Sequence, residues 1–411
     1  MNKFVYPNYD GGSLLNVPST ILSLFGQKPL KKLLPGKMYS GAEGAEKIIL
    51  FVIDGFGHNL FQKEAVNFPF FRKLADDKFY NSITSVFPST TAASLGTLHS
   101  GLSTPEHGLP EWYVYFKEVD CVLQSLPFSP VIPEDLEKSI NPAADILFNQ
   151  KTIYQILGAA GVETYSFYLN WYADSLYSKT SLVGSNRLSY VTLADYMVQL
   201  RKLIDKIPGK AFIYAYWGGI DTAEHKFGPW SEEVKAEIGL LSHMLQTEFV
   251  EKIDPKTASK VAIMITADHG QIAVDPAKAI YLDEIPGFIE KLKVSPNGKI
   301  IPPSGGSRDV FLNVGETELE NMIVLLEKAL KGKATIIKTD RAVRDGLFGD
   351  GVPTQRFLDR VGNLLILAHD SHAIWYHFGP DIVFKHRGIH GGLSGDEMLI
   401  PFICANLKTL Q

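Results

Sequence analysis

The sequence predicts an α/β fold with a three-layer α/β/α core, in which helices cover both faces of a mostly parallel β-sheet. Short apolar runs (KIILFVI, AFIYAYW and KVAIMIT) alternate with longer amphipathic stretches. Apolar runs separated by helices are typical of parallel strands that are buried on both faces. After residue 275 the pattern changes, and strand-like DVFLNV precedes helical ETELENMIVLLEKAL. We therefore predict a smaller α+β cap, inserted before the chain returns to the core.

These patterns predict the elements and the domain boundaries in order. A short helix near 19–25 lies in an N-terminal arm, and the helices of the core follow at 59–74, 190–207 and 231–254. In the insert, strands at ATIIKTD and NLLILAH follow the helix, and MLIPFICA returns the chain to the core. The Pro-rich stretch 105–150 is predicted to be an irregular surface excursion. The predicted domains are a core of 1–275 plus 386–411, with an arm at 1–45, and a cap of 276–385.

Composition and charge restrict the class of protein. The chain has 411 residues, 45% of them hydrophobic and 21% charged, with a net charge of −5. These values are typical of a soluble globular protein. The absence of a basic run argues against a nucleic-acid polymer as partner, since tracking phosphates needs clustered Lys and Arg. No apolar run is long enough for a membrane span or a secretory signal.

The two cysteines, Cys121 and Cys404, favour a reducing compartment. Because they are so far apart in the sequence, we expect them to be buried and reduced rather than bridged. Cytoplasmic residence is the resulting expectation.

Metal-type ligands follow the ends of several apolar strands. These ligands are Asp54, Asp221, His225, Asp268, His269 and His390. In an open parallel sheet, ligands bind outside the carboxyl ends of the strands, so residues far apart in sequence can converge there. A cluster of carboxylates repels itself unless cations are present. Mixed Asp and His donors suit Zn²⁺, with Mn²⁺ or Fe as alternatives, better than Mg²⁺ or Ca²⁺.

Each of these segments also has an ordinary structural interpretation. Asp54-Gly55 is compatible with a simple turn after a strand. Asp221 and His225 are compatible with a surface pair on a helix, since they are four residues apart. A single histidine such as His390 is more often structural. The joint occurrence of the segments, in this order, favours a two-metal site.

A hydroxyl-rich turn, FPSTTAASL, lies between the first and second of these segments. A threonine hydroxyl is a poor nucleophile until a metal ion lowers its pKa. Thr91 and the adjacent Thr90 are both candidates, and the turn could instead cap the helix that begins at Ala92.

These motifs resemble the alkaline phosphatase superfamily, and within it the nucleotide pyrophosphatase/phosphodiesterase branch. The likeness rests on Asp54 after the first strand, Pro88-Ser89-Thr90-Thr91, Asp221-x-x-x-His225, Asp268-His269-Gly270 and Gly388-x-His390-Gly391. The resemblance implies Asp221, His225 and His390 on one ion and Asp54, Asp268 and His269 on the other. Thr91 would lie between them as a metal-bound nucleophile, which attacks phosphorus and forms a phospho-threonine that water then hydrolyses.

The chain departs from this branch beside the nucleophile. The family has Phe-Pro-Asn after the nucleophile, where Ala92-Ala93-Ser94 stands here, a sequence that resembles the phosphomonoesterase branch. Ser94 is the candidate replacement donor to the phosphoryl oxygen. Trp112 occupies the place of a family Asn and could form an apolar wall, and Glu111 could orient a substrate amine or hydroxyl.

The predicted function is metal-dependent hydrolysis of phosphate esters, with phosphodiesters or nucleotide pyrophosphates as the favoured substrates. The expected substrate is therefore a small phosphate ester such as a nucleotide. A phosphomonoesterase or a phosphomutase-like transferase of the same superfamily is one alternative. A non-catalytic binding module is the other, although retention of all six ligands and Thr91 argues against it.

Overall fold

The structure is a computed structural model that describes residues 4–76, 78–132, 145–172, 174–379 and 382–411. Its strands are β1 Lys47–Ile53, β2 Tyr80–Thr84, β3 Tyr113–Phe116, β4 Cys121–Gln124, β5 Ser129–Pro130, β6 Glu163–Leu169, β7 Asn186–Tyr190, β8 Ala211–Trp217, β9 Val261–Thr266, β10 Ile272–Ala273, β11 Ile280–Tyr281, β12 Ser304–Gly305, β13 Asp309–Leu312, β14 Ala334–Lys338, β15 Leu364–Ala368, β16 Ile374–Trp375, β17 Gly388–Ile389 and β18 Leu399–Asn406.

The α-helices are α1 Asn16–Leu24, α2 Gly36–Tyr39, α3 His58–Lys63, α4 Pro69–Leu74, α5 Thr91–Ser100, α6 Thr104–His107, α7 Ile153–Ala159, α8 Leu176–Ser181, α9 Leu193–Lys206, α10 Gly219–Phe227, α11 Glu232–Met244, α12 Pro255–Ala258, α13 Leu319–Ala329, α14 Thr339–Arg344, α15 Gln355–Val361 and α16 Gly395–Met398.

The main sheet has the strand order β2-β18-β9-β1-β8-β6-β7. Strand β18 runs antiparallel to both of its neighbours, and the adjacent pairs from β9 to β7 are all parallel. Every residue of β1 and β9 is buried, which explains why these runs are apolar without alternation. The predicted mostly parallel α/β sheet is confirmed.

Helices cover both faces of this sheet. On β8, Tyr214 contacts His99 of α5 with ring centroids 4.8 Å apart. Phe51 of β1 is in register with Ala215, so its side chain points to the opposite face, where it meets Tyr196 of α9 at 5.8 Å. The core therefore has three layers.

Two predicted helices are interrupted. The stretch 59–74 forms α3 and α4, which are separated by a 3-10 turn at Ala65–Asn67. Pro69 begins α4, a position where a residue without an N–H is well tolerated. The stretch 231–254 forms α11 followed by a π-helical turn at Leu245–Phe249. In the arm, the predicted short helix is α1, and its residues Val17 and Ile21 are fully buried in the main core.

A second sheet has the order β14-β15-β13-β12-β3-β4-β5. Its strands β3 to β5 come from 113–130, so the prediction of an irregular excursion was wrong for this part of 105–150. These strands are only two to four residues long, which is too short for a clear alternating pattern. Strand β3 pairs with β4 and β4 with β5, and β3 joins the rest of the sheet through the pairing of Tyr113 with Gly305 of β12. Residues 133–144 of the same stretch lie outside the described residues. The proposed boundaries of the insert, 276–385, stay a prediction.

The second sheet shares a hydrophobic cluster with elements that pack against the main sheet. Phe87, from the loop before α5, packs with Phe348 at 5.0 Å between ring centroids. Phe311 and Leu365 of the second sheet join Leu393 and Met398 in the same buried cluster. The second sheet is thus packed directly against the elements that carry the motifs.

Candidate two-metal active site

The register of three adjacent strands brings the predicted ligands to one edge of the main sheet. Val52 of β1 is paired with Tyr216 of β8 and with Thr266 of β9, so the three carboxyl ends are level. Asp54 and Asp268 follow β1 and β9 within two residues, and Asp221 lies in the first turn of α10, after β8. Gly55 permits this convergence, because a Cβ there would lie 3.0 Å from the Asp221 Cα and its φ is +75°.

One group of ligands contains Asp221, His225 and His390. On α10, His225 Nε2 is 3.4 Å from Asp221 Oδ1, and His390 Nε2 is 3.9 Å from the same oxygen. His390 is brought in by the antiparallel pairing of β17 with β10, in which Ile389 lies opposite Ile272. These three side chains are close enough to hold one metal ion.

A second group surrounds His269. Its Nε2 is 3.4 Å from Asp54 Oδ1 and 3.4 Å from Asp268 Oδ2. Asp54 and His269 also form a group with Asp221, so Asp221 lies between the two sets of ligands. The His269 and His390 rings stack with centroids 3.7 Å apart. The two groups are therefore contiguous.

The electrostatics of the cluster fit divalent cations. Asp54 Oδ1 and Asp268 Oδ2 are buried and have no hydrogen-bond partner among the described residues. Burial raises the pKa of Asp54 well above its usual range, and the charges of Asp221 and Asp268 raise it further. Burial likewise lowers the pKa of His390, as does the proximity of His269. Orphaned carboxylates and neutral imidazoles are the donors that a metal ion needs.

Several partners orient these ligands. His225 Nδ1 lies 2.8 Å from the Gly388 carbonyl, and His390 Nδ1 lies 3.2 Å from the Ser89 carbonyl. An Nδ1 proton donated to a carbonyl leaves Nε2 free to bind a metal. Gln271 Nε2 donates to Asp221 Oδ1 at 2.5 Å, and the Tyr216 hydroxyl donates to Asp54.

Neither Gln271 nor Tyr216 was predicted from the sequence as part of the site. Gln271 directly follows Asp268-His269-Gly270, so its position beside a ligand motif was the available signal. Tyr216 carries no such signal, because an aromatic residue in an apolar strand is normally read as core.

The two candidate nucleophiles occupy different positions. Thr91 is the first residue of α5, and its Oγ1 is 3.1 Å from His269 Nε2. The Thr90 Oγ1 instead accepts a hydrogen bond from the Ala92 N–H at 3.2 Å, which caps the helix. The structure thus places the Thr91 hydroxyl at the ligand cluster and assigns capping to Thr90.

A cavity of about 630 Å³ opens beside Thr91. Thr91, Leu95 and His99 line it, and these residues are spaced four apart on α5, so the cavity runs along this helix. Its other walls are largely aromatic and include Trp112, Tyr113, Tyr172, Tyr214, Trp217 and Trp375. Such a cavity suits a phosphate ester with a bulky apolar or aromatic group.

Two of the three predicted substrate residues line the cavity, and the third points away from it. Trp112 and Glu111 both line the cavity. Ser94 is fully buried, and its Oγ donates to the Asp268 carbonyl at 2.9 Å. Ser94 lies on the side of α5 that faces the end of β9. The prediction that Ser94 contacts the phosphoryl oxygen was therefore wrong. Glu111 is 1% exposed, and burial raises its pKa to about 8.

The family of the chain is shown by comparison with known proteins. The family model described as type I phosphodiesterase / nucleotide pyrophosphatase matches residues 48–393. The chain belongs to this family. This phosphodiesterase-family protein is therefore a phosphoric ester hydrolase of the phosphodiesterase type, and the predicted superfamily branch is confirmed.

Solved structures share the fold of this phosphodiesterase-family protein. Mouse ectonucleotide pyrophosphatase/phosphodiesterase 5 matches with a TM-score of 0.64 and 17% identity, over 87% of each chain. An inactive threonine-to-alanine variant of the mouse protein, in complex with AMP, matches equally well. The human counterpart matches with a TM-score of 0.62 and 16% identity, also over 87% of each chain. A search of curated proteins found no match.

Two further predictions concern the chain outside the site. Cys121 and Cys404 are both buried, as predicted. Among the described residues, none of the helices is both long and apolar enough to cross a membrane.

Proposed function

We propose that this protein hydrolyses phosphodiesters or nucleotide pyrophosphates through a phospho-threonine on Thr91. The observation that carries the proposal is the position of the Thr91 Oγ1, 3.1 Å from His269 Nε2 at the start of α5 and open to the cavity. Two divalent ions would be held by the six Asp and His side chains, with Zn²⁺ favoured and Mn²⁺ or Fe as alternatives. When bound, such ions stabilise an alkoxide and the charge on phosphoryl oxygens.

In this mechanism the Thr91 oxygen attacks phosphorus and the bond to the leaving-group oxygen breaks. The leaving oxygen departs with a proton, and the remaining phosphoryl ester stays on Thr91. Water then attacks the same phosphorus from the opposite side, which releases the product and returns the proton to Thr91. The partial positive charge at the start of α5 favours the phosphoryl group in both steps.

A nucleotide is the proposed substrate class. The aromatic walls formed by Trp112 and Tyr113 offer flat apolar surfaces for a base. The mouse relative in complex with AMP is an inactive variant in which alanine replaces a threonine, which supports a nucleotide ligand and an essential hydroxyl. With Ser94 turned away, the second oxygen of the phosphoryl group has no donor from that side chain, which favours a diester over a monoester.

The proposed location is the cytoplasm, supported by the burial of both cysteines, which lie far apart in the sequence. Labelling the protein in intact cells and separating the compartments tests this. Recovery from an oxidising compartment would contradict it.

The function is tested with protein loaded with Zn²⁺ or Mn²⁺, on an aryl phosphodiester and an aryl phosphomonoester in parallel. We expect the diester to be hydrolysed faster, and Thr91→Ala to lose at least about a thousandfold in kcat. Thr90→Ala, its matched control, should lose helix capping of about 1 kcal/mol and far less activity. Greater monoester activity would favour the phosphomonoesterase alternative. Loss of both activities with metals bound would favour a transferase or a binding module.

A further inference from the structure

The N-terminal segment 4–16 holds the turn that leads into helix α5. This segment precedes the part of the chain that matches the family model. It bonds the backbone of Thr84 on both sides, since the Thr84 carbonyl accepts from the Leu14 N–H at 2.8 Å and the Thr84 N–H donates to the Gly12 carbonyl at 2.9 Å. The start of the turn 85–90 is therefore fixed by residues outside the motifs.

The hydroxyl of Tyr9 joins this turn to the loop after α14. It accepts a hydrogen bond from the Phe87 N–H and donates one to the Leu347 carbonyl, each at 3.0 Å. Burial raises the pKa of Tyr9 above its usual range, so the phenol keeps the proton that it donates. Leu347 belongs to the hydrophobic cluster that includes strands of the second sheet. One side chain thus ties the backbone of the turn to a second, separately packed part of the protein.

The same turn orients a metal ligand. The Ser89 carbonyl lies 3.2 Å from His390 Nδ1, and the Ser89 hydroxyl donates to the Gly392 carbonyl at 2.7 Å. The N-terminal segment also reaches the loop after His390, because the Val5 N–H donates to the Leu393 carbonyl at 2.8 Å. The segment therefore contacts the backbone on both sides of the contact between the turn and this ligand.

We propose that the N-terminal segment 4–16 positions the reactive groups of the site. Tyr9 is the positioning residue for Thr91, and the Val5 N–H has the same role for His390. The proposal rests on the proposed role of Thr91 as nucleophile. A displacement of a reacting group by about 1 Å can cost on the order of a hundredfold in rate, so small shifts of the turn matter. If the segment only added stability, the rate and metal affinity of the folded protein would not depend on it.

The test compares full-length Tyr9→Phe with the wild type at saturating Zn²⁺, on the aryl phosphodiester. We expect kcat to fall about 10–100-fold, because the turn before Thr91 gains freedom. The KM should stay within about twofold, because the cavity walls are unchanged. Metal affinity, measured by competition with a chelator, should fall about three- to tenfold, because the contact that orients His390 loosens.

The matched control is Tyr115→Phe. It removes the hydroxyl of another buried tyrosine, which donates to Asp120 at 2.7 Å near the hairpin between β3 and β4. Its kcat and metal affinity should stay within about twofold of the wild type. Losses equal to those of Tyr9→Phe would overturn the proposal, since they would show a general effect of a lost buried hydroxyl.

The remaining outcomes separate positioning from stability and from the proposed function. Folded Tyr9→Phe with unchanged kcat and metal affinity would overturn the proposal, even if it unfolds more readily. A rise in KM at unchanged kcat would also overturn it. A wild type that binds two ions and hydrolyses neither ester would refute the proposed function instead, and the metal affinity of Tyr9→Phe would still test the positioning of His390.

A second variant decides if Tyr9→Phe fails to fold. Val5→Pro removes the N–H that bonds Leu393 and leaves every side chain of the site in place. We expect it to lower metal affinity at least about threefold. Unchanged metal affinity in folded Val5→Pro would overturn the proposal.

Discussion

Arg308 and Glu397 form a two-point ion pair that joins the second sheet to the main domain. The guanidinium Nε and Nη2 donate to Oε1 and Oε2, each at 3.0 Å, and both side chains are at most 1% exposed. Glu397 also accepts from the Gly392 N–H at 2.8 Å, two residues after His390. The pair thus fixes the segment that carries a metal ligand, and it argues against a second sheet that moves freely as a lid.

Breaking this pair should destabilise the protein strongly. We expect Glu397→Gln to lower the free energy of unfolding by about 3–5 kcal/mol, because it leaves Arg308 buried and unpaired. Denaturant unfolding measures this. Glu320→Gln, which breaks an exposed pair with Lys338, is the control and should cost at most about 1 kcal/mol. Equal losses in the two variants would contradict the role of burial.

Gln271 should control metal affinity through Asp221. Its amide holds Asp221 Oδ1 at 2.5 Å, so Gln271→Ala frees the ligand to rotate. We expect metal affinity to fall about 10–100-fold, as measured by competition with a chelator. Gln246→Ala, which removes an amide that donates to the exposed Glu251, should bind metal as the wild type does. Unchanged affinity in Gln271→Ala would exclude an orienting role.

Ser94 should matter for stability and not for substrate binding. Its hydroxyl, together with that of Ser85, donates to the Asp268 carbonyl. Ser94→Ala should therefore lower the free energy of unfolding by about 1–2 kcal/mol and leave the KM for an aryl phosphodiester unchanged. A large rise in KM without loss of stability would restore the contact with substrate that the sequence predicted.

Glu111 should make the stability of metal-free protein depend on pH. Burial raises its pKa from 4.5 to about 8, so the folded protein keeps a proton that the unfolded chain loses above about pH 4.5. This stabilising effect is complete below pH 4.5 and is lost as pH rises through about 8.

In the presence of a chelator, the free energy of unfolding of the protein with Glu111 intact should therefore fall between pH 5 and pH 9 relative to that of Glu111→Gln. The expected fall is on the order of a few kcal/mol. Asp309→Asn is present in both proteins of this comparison, because the pKa of Asp309, which burial raises, is raised further by the charge of Glu111. A difference in unfolding free energy that stays constant over this range would show that Glu111 does not titrate there.

Much of the main domain could be predicted from local patterns. Strands β1, β8 and β9 are continuous apolar runs because both of their faces are buried, and this leaves a strong signal in the sequence. Helix ends were less predictable, as at Pro69 and at the π-helical turn after α11. The strands at 113–130 were missed because they are only two to four residues long, too short for a clear alternating pattern, and because β3 joins the second sheet through β12, which lies far along the chain.

The sequence by itself determined the ligand types, their order and the two adjacent hydroxyls, because metal chemistry restricts which side chains can serve. Only the tertiary structure decided which hydroxyl meets His269 and which caps α5, since this depends on where the helix begins. It also decided that Ser94 faces β9 and that Glu111 meets Asp309. Those relationships arise from strand pairing and helix rotation, which three-dimensional packing sets and local sequence does not record.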